Sequence, residues 1–263
     1  MSARYERMFA ACAERDEGAV IPFLMLGDPD SETSIARINK LVAAGAHALE
    51  LGIPFSDPVA DGPVIVAAAN RALTAGVTPA RCFELVAQVR ARHPDIPIGL
   101  LVYANLVFAR GIDAFYRDAA VAGVDSVLVA DVPLRESVPF RAAAVKHGVA
   151  HVLILPPDAN DKTIVAVAKA GAAYTYVLGR AGVTGADRAA AMPARERLEL
   201  LAQAGGPPPV IGFGISKPEH AHAARAAGAA GVIVGSALIG WLHDGNDAAA
   251  RFVKLVEAAR GTQ

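Results

Sequence analysis

The chain reads as an α/β protein, a closed (β/α)8 barrel forming one domain over residues 1–263, and three observations predict it. Eight short apolar runs of strand length, near residues 20, 48, 100, 127, 153, 175, 210 and 233, alternate with helical stretches. Glycines recur where those helical stretches end, just ahead of the next strand. No G-x-G-x-x-G follows the first strand, which argues against an open, doubly wound sheet. Eight alternating units in 263 residues suit the TIM-barrel architecture, here with an extra N-terminal helix and extra short helices.

The elements follow in order. A first helix is expected from Ala3 to Arg15. Val20 to Leu26 is continuously apolar, as suits a strand buried on both faces, and the turn Gly27-Asp28-Pro29 closes it. Ser31 is the expected cap of the next helix, which puts Ile35, Ile38, Leu41 and Val42 on one side and stops at Gly45. The strand HALEL then leads into Glu50. Gly123, Gly148, Gly171 and Gly228 repeat the role of Gly45, each expected in the left-handed conformation of a helix end. The strands DSVLVA, AHVLIL, AYTYVL and GVIVG come after them. Ile98 to Tyr103 and Pro209 to Gly212 complete the eight.

Composition narrows the function. Apolar residues make up 54% of the chain, enough for a large core; charged residues are only 19% and the net charge is −1. Such a surface offers no basic field for nucleic acid. The N-terminus lacks the apolar core of a signal peptide. The longest uncharged apolar run, Ala226 to Leu242, is interrupted by four glycines and falls short of a membrane span. A soluble, cytoplasmic protein with no membrane partner is expected. Cys12 and Cys82, far apart in helical stretches, read as reduced core residues.

In such a barrel the chemistry lies on the loops after the strands. Glu50 stands at the end of its strand, on the face shared with Ala46 and Ala48, and should point into the barrel mouth. Partial desolvation there would raise its pKa into a useful acid–base range. Asp61 follows in a long loop rich in proline, where a catalytic role and a helix N-cap are equally good readings. Asp57, before Pro58, fits turn chemistry or a surface contact. Gly212-Phe213-Gly214-Ile215-Ser216 and Gly235-Ser236 follow the seventh and eighth strands, where backbone amides at a helix start make an anion site. Gly179 to Ala191 is a long, glycine-punctuated loop, expected to be a lid carrying Thr184 and Gly185. Phe23, Leu101, Tyr103, Leu128, Ile154, Tyr176 and Phe213 lie near strand ends and fit an apolar, aromatic pocket. No lysine falls on an expected strand, so a Schiff base is poorly supported. The histidines lie at strand starts or in helices, so no metal site is expected at the mouth.

PFLMLGDPD (22–30), LELGIPFSDPVADGP (49–63), GLLVYANLVF (99–108), YTYVLGRAGVTG (174–185), GFGIS (212–216) and VIVGSA (232–237) together resemble the tryptophan synthase α subunit, in order and spacing over nearly the whole chain. That resemblance implies a lyase of tryptophan biosynthesis, cleaving indole-3-glycerol phosphate to indole and glyceraldehyde 3-phosphate by a retro-aldol step. It implies Glu50 and Asp61 as the catalytic acids. It implies Gly185, Gly214, Gly235 and Ser236 around the phosphate, and Phe23, Leu101, Tyr103, Leu128, Ile154, Tyr176, Thr184, Phe213 and Ile233 around indole and glycerol. It further implies an α2β2 heterotetramer with a β subunit that takes up the indole and alone carries pyridoxal phosphate. Pro54, Asp57 and Pro133 match positions facing that partner. Gly179 and Ala181 depart from the serines common in the lid, and Arg135 from a usually acidic stretch beside the partner face. Two alternatives stand: a stand-alone lyase releasing free indole, and a non-catalytic phosphate-binding barrel that only activates a partner.

Overall fold

The computed structural model describes residues 2–178, 192–245 and 247–260. Eight parallel strands close into a barrel in sequence order, the last pairing with the first. They are β1 Ala19–Met25, β2 Leu49–Gly52, β3 Ile98–Val102, β4 Ser126–Val129, β5 Ala150–Leu155, β6 Thr175–Val177, β7 Pro209–Ile211 and β8 Gly231–Val234. The helices are α1 Ala3–Glu14, α2 Ser31–Ala43, α3 Pro63–Thr74, α4 Pro79–Arg92, α5 Ala104–Arg110, α6 Ile112–Ala122, α7 Val138–Lys146, α8 Asp161–Ala170, α9 Arg195–Gln203, α10 Pro218–Ala226, α11 Ser236–His243 and α12 Ala248–Ala258. All eight expected strands are present.

Two local expectations need correction. Asp30, not Ser31, caps α2: its carboxylate accepts from the Thr33 amide at 2.8 Å and the Thr33 hydroxyl at 2.7 Å. A carboxylate is the stronger acceptor at a helix N-terminus. Gly45, Gly123, Gly148 and Gly228 do take positive φ, but Gly171 has φ −71°. Its reason for being glycine is space, because a Cβ there would lie 2.9 Å from Pro207.

All seven residues of β1 are buried, which explains its unbroken apolar run. The barrel floor is filled from outside by α1. Ser2 caps this helix, and Tyr5, Met8 and Cys12 are its buried residues. The Tyr5 hydroxyl meets Ser126 Oγ at 3.1 Å, and its ring lies 5.6 Å from that of Tyr174. Gly99 leaves the room, since a Cβ there would stand 2.9 Å from the Tyr5 hydroxyl. Beside this plug, Asp125 is 4% exposed. It accepts from Ser2 at 2.7 Å, Arg4 at 3.1 Å, Arg90 at 2.5 Å and the Ile98 amide at 2.9 Å. Among the described residues no helix is long and apolar enough to cross a membrane.

Candidate active site

β2 carries Glu50 into the barrel, in register with Phe23 on β1 and Gly99 on β3. Its side chain is 1% exposed. Tyr174, just ahead of β6, donates its hydroxyl to Glu50 Oε1 at 2.8 Å, whereas Oε2 is buried without a hydrogen-bond partner among the described residues. Burial raises the Glu50 carboxyl from the usual 4.5 to about 7, against a smaller opposing pull from Tyr174. An acid that titrates near neutrality can both give and take a proton.

Asp61 sits in the loop between β2 and α3. Gly62, not Asp61, occupies the N-cap position of α3, so the capping alternative fails. Burial also raises the Asp61 carboxyl, while a hydrogen bond from the Tyr103 hydroxyl draws it back. Glu50 and Asp61 face one cleft with about 510 Å³ of empty space, counting its open mouth. Phe23, Leu101, Tyr176, Phe213 and Ile233 supply apolar walls. Gly214, Gly235 and Ser236 line the same cleft.

The glycine turns have identifiable causes. Gly214 has φ +76°, a conformation that side chains rarely adopt. A Cβ on Gly212 would fall 1.9 Å from the Tyr176 ring, whose hydroxyl donates to the Gly212 carbonyl at 2.6 Å. Gly235 is the N-cap of α11 and adds no side-chain cap of its own. The first-turn amides of that helix therefore remain free to face an anion.

Three expected pocket residues are not among those lining the cleft. Tyr103 does not line the cleft but stands behind Asp61. Leu128 packs in the core beside Leu101, its register partner. Ile154 shares a face with its register partner Tyr176 but borders a neighbouring hollow with Pro133, Leu134 and Pro156. Thr184 and Gly185, with Gly179 and Ala181, lie outside the described residues. Of the expected partner-facing residues, Asp57 and Pro133 are exposed, but Pro54 is buried within the chain and offers no surface. The Asp57 carboxylate accepts from the Ser56 hydroxyl. Arg135 is exposed and pairs with its neighbour Glu136 at 3.2 Å.

Sequence reasoning missed Ile65, Ile215, Ala237 and Tyr174. Two signals were available. Ile65 follows Asp61 by one helical turn, and Tyr174 shares with Tyr176 the inward face of an alternating strand. Among the described residues one thiol–imidazole–carboxylate cluster, Cys12, Glu17 and His47, has ligand-like spacing, at the floor end. Its chemistry does not suit a metal. His47 Nδ1 accepts from the Val20 amide, so the neutral ring carries its proton on Nε2, facing Glu17, which Arg15 also engages.

A family model described as tryptophan synthase alpha chain matches residues 9–262. The chain is 58% identical to the tryptophan synthase alpha chain of Klebsiella pneumoniae over 236 residues, covering 90% of this chain and 88% of that one. It is 57% identical to the Escherichia coli alpha chain over the same length and with the same coverage. Among solved structures, a tryptophan synthase of Mycobacterium tuberculosis superposes with a TM-score of 0.90 at 29% identity over 100% of both chains. A structure from Aquifex aeolicus gives 0.89 at 33% identity, covering 98% of this chain and 99% of that one.

Proposed function

The chain belongs to the tryptophan synthase alpha chain family of lyases, and from that premise we propose that it cleaves indole-3-glycerol phosphate to indole and glyceraldehyde 3-phosphate. The observation that carries this reading is the shared cleft of Glu50 and Asp61, with glycine turns on the same wall.

The bond to be broken joins C3 of the indole ring to the hydroxyl-bearing carbon of the glycerol chain. Cleavage requires a proton on C3 and removal of the proton from that hydroxyl. Glu50, raised to about 7, holds a proton in part of the population near neutrality and gives it to C3. The resulting carboxylate takes the hydroxyl proton as the carbon–carbon electron pair returns to the ring, so Glu50 ends as it began. Protonated C3 leaves positive charge at the ring nitrogen, and an ionised Asp61 accepting from that N–H stabilises it. The ring is thus the electron sink, and neither a lysine nor a metal enters the step. Amides at Gly214, Gly235 and Ser236 hold the phosphate; by resemblance Gly185 joins them and Thr184 belongs to the indole and glycerol pocket. Phe23, Leu101, Tyr176, Phe213 and Ile233 exclude water around the ring.

The same reading gives the chain a β-subunit partner in an α2β2 assembly, docked over the mouth at the loops of Asp57 and Pro133. Pyridoxal phosphate belongs to that partner, and this chain carries no cofactor of its own. The test is an assay of the purified chain with indole-3-glycerol phosphate, alone and with a tryptophan synthase β subunit. Indole and aldehyde should appear together, faster with β present. No indole under either condition overturns the reading. Equal rates with and without β would instead make the chain a stand-alone lyase.

A further inference from the structure

Tyr103 directly follows β3 and is the N-cap residue of α5. Its backbone is held from the next strand loop, where Asp131 accepts from the Ala104 amide at 2.8 Å. From that fixed point the side chain reaches back over the loop after β2. Residues 53–61 of that loop carry neither helix nor strand. The Tyr103 ring lies against Phe55, with ring centroids 5.5 Å apart. Its hydroxyl accepts from the Ala60 amide at 3.2 Å and hydrogen-bonds to the Asp61 side chain. One phenol therefore grips the loop at three places, the last of them the Asp61 carboxyl. Tyr103 does not itself line the cleft.

We propose that Tyr103 is a positioning residue for Asp61, aiming its carboxylate at the ring nitrogen of the substrate and holding the loop around it. The inference rests on the lyase reading above. A phenol has one proton to donate and lone pairs to accept with. With the Ala60 amide on a lone pair, its proton is left for the carboxylate. Ionised Asp61 accepts that proton best, so the contact also favours the charged form. Burial opposes it. Phenylalanine at 103 keeps the ring against Phe55 and removes only the hydroxyl.

The experiment compares wild type with Tyr103→Phe, using cleavage of indole-3-glycerol phosphate and binding of a non-cleavable analogue that keeps ring and phosphate but lacks the glycerol hydroxyls. The variant should lose roughly 10–100-fold in kcat/KM, as expected when a hydrogen bond to a charged group is removed. The pH below which the analogue binds weakly should move upward, because Asp61 then takes up its proton more readily. A merely structural role would weaken binding equally at every pH. In the Asp61→Asn background, Tyr103→Phe should change analogue binding less than threefold. An unshifted pH dependence, or an undiminished effect in the Asp61→Asn background, overturns the assignment to Tyr103. A wild type that does not cleave at all overturns the lyase reading instead, and is told apart because it fails before any substitution is made.

Discussion

Asp125 at the barrel floor and Glu50 within the barrel are buried to the same degree, at 4% and 1% exposed, yet their surroundings are opposites. Asp125 receives two arginines, a serine and a backbone amide. Glu50 receives one phenol and, among the described residues, leaves Oε2 unpaired. Full pairing offsets the cost of burying a charge and fixes the chain around it. Withholding partners keeps the proton of Glu50 exchangeable. A buried acid in this fold is structural or reactive according to what was placed beside it.

The strongest way to break the comparison is Glu50→Gln. The amide keeps size and the Tyr174 hydrogen bond but cannot exchange a proton, so kcat for indole release should fall about 10²–10⁴-fold. Thermal unfolding near pH 5 should change little, because the folded Glu50 is protonated there and no cation loses its partner. A steady-state assay retaining most of the activity would remove Glu50 from the mechanism.

Asp125→Ala should give the reverse pattern. It strands Arg90, which is 13% exposed, beside the floor helix, and breaking a buried pair from one side costs about 3–5 kcal/mol. Urea unfolding should show that loss, while kcat measured well below the melting point stays within about twofold of wild type. A large fall in kcat with stability intact would show that the two acids are not divided as described.

The finest test is the pH dependence of stability. The Glu50 carboxyl is raised on folding, so the folded chain keeps a proton that the unfolded chain releases. Stability owed to this group is therefore greatest below about pH 4.5 and is lost as pH rises to about 7, where the folded carboxyl also ionises. The full span corresponds to about 3 kcal/mol. Subtracting the urea-unfolding curve of Glu50→Gln from that of wild type, between pH 5 and 8, isolates it. A flat difference would mean that Glu50 is not held protonated by burial.

Much of this was legible in the sequence because the barrel is built from local patterns. Continuous apolar runs and helix-end glycines recur in each unit, and Glu50 stands out as an acid among alanines on an inward face. Asp61 was ambiguous because an acid before Gly-Pro fits a helix cap as well as a catalyst, and only the placement of Gly62 at the N-cap decided it. Tyr103, Leu128 and Ile154 were placed in the pocket because strand ends converge there. Leu128 and Ile154 share a face with the cleft-lining Leu101 and Tyr176, and how near each strand end comes to the cleft depends on barrel stagger, a property of eight strands together. Pro54 looked like surface for a similar reason, since a proline-rich loop reads as exposed until its packing is known. Asp125 gave no signal, because its partners come from residues 2, 4, 90 and 98.

The floor helix has a consequence for traffic. With Tyr5 and Tyr174 packed beneath Glu50, the described residues cork the vessel from below and leave its open side at the upper rim. On the proposed reaction, a receiver for the released ring would be stationed at that rim.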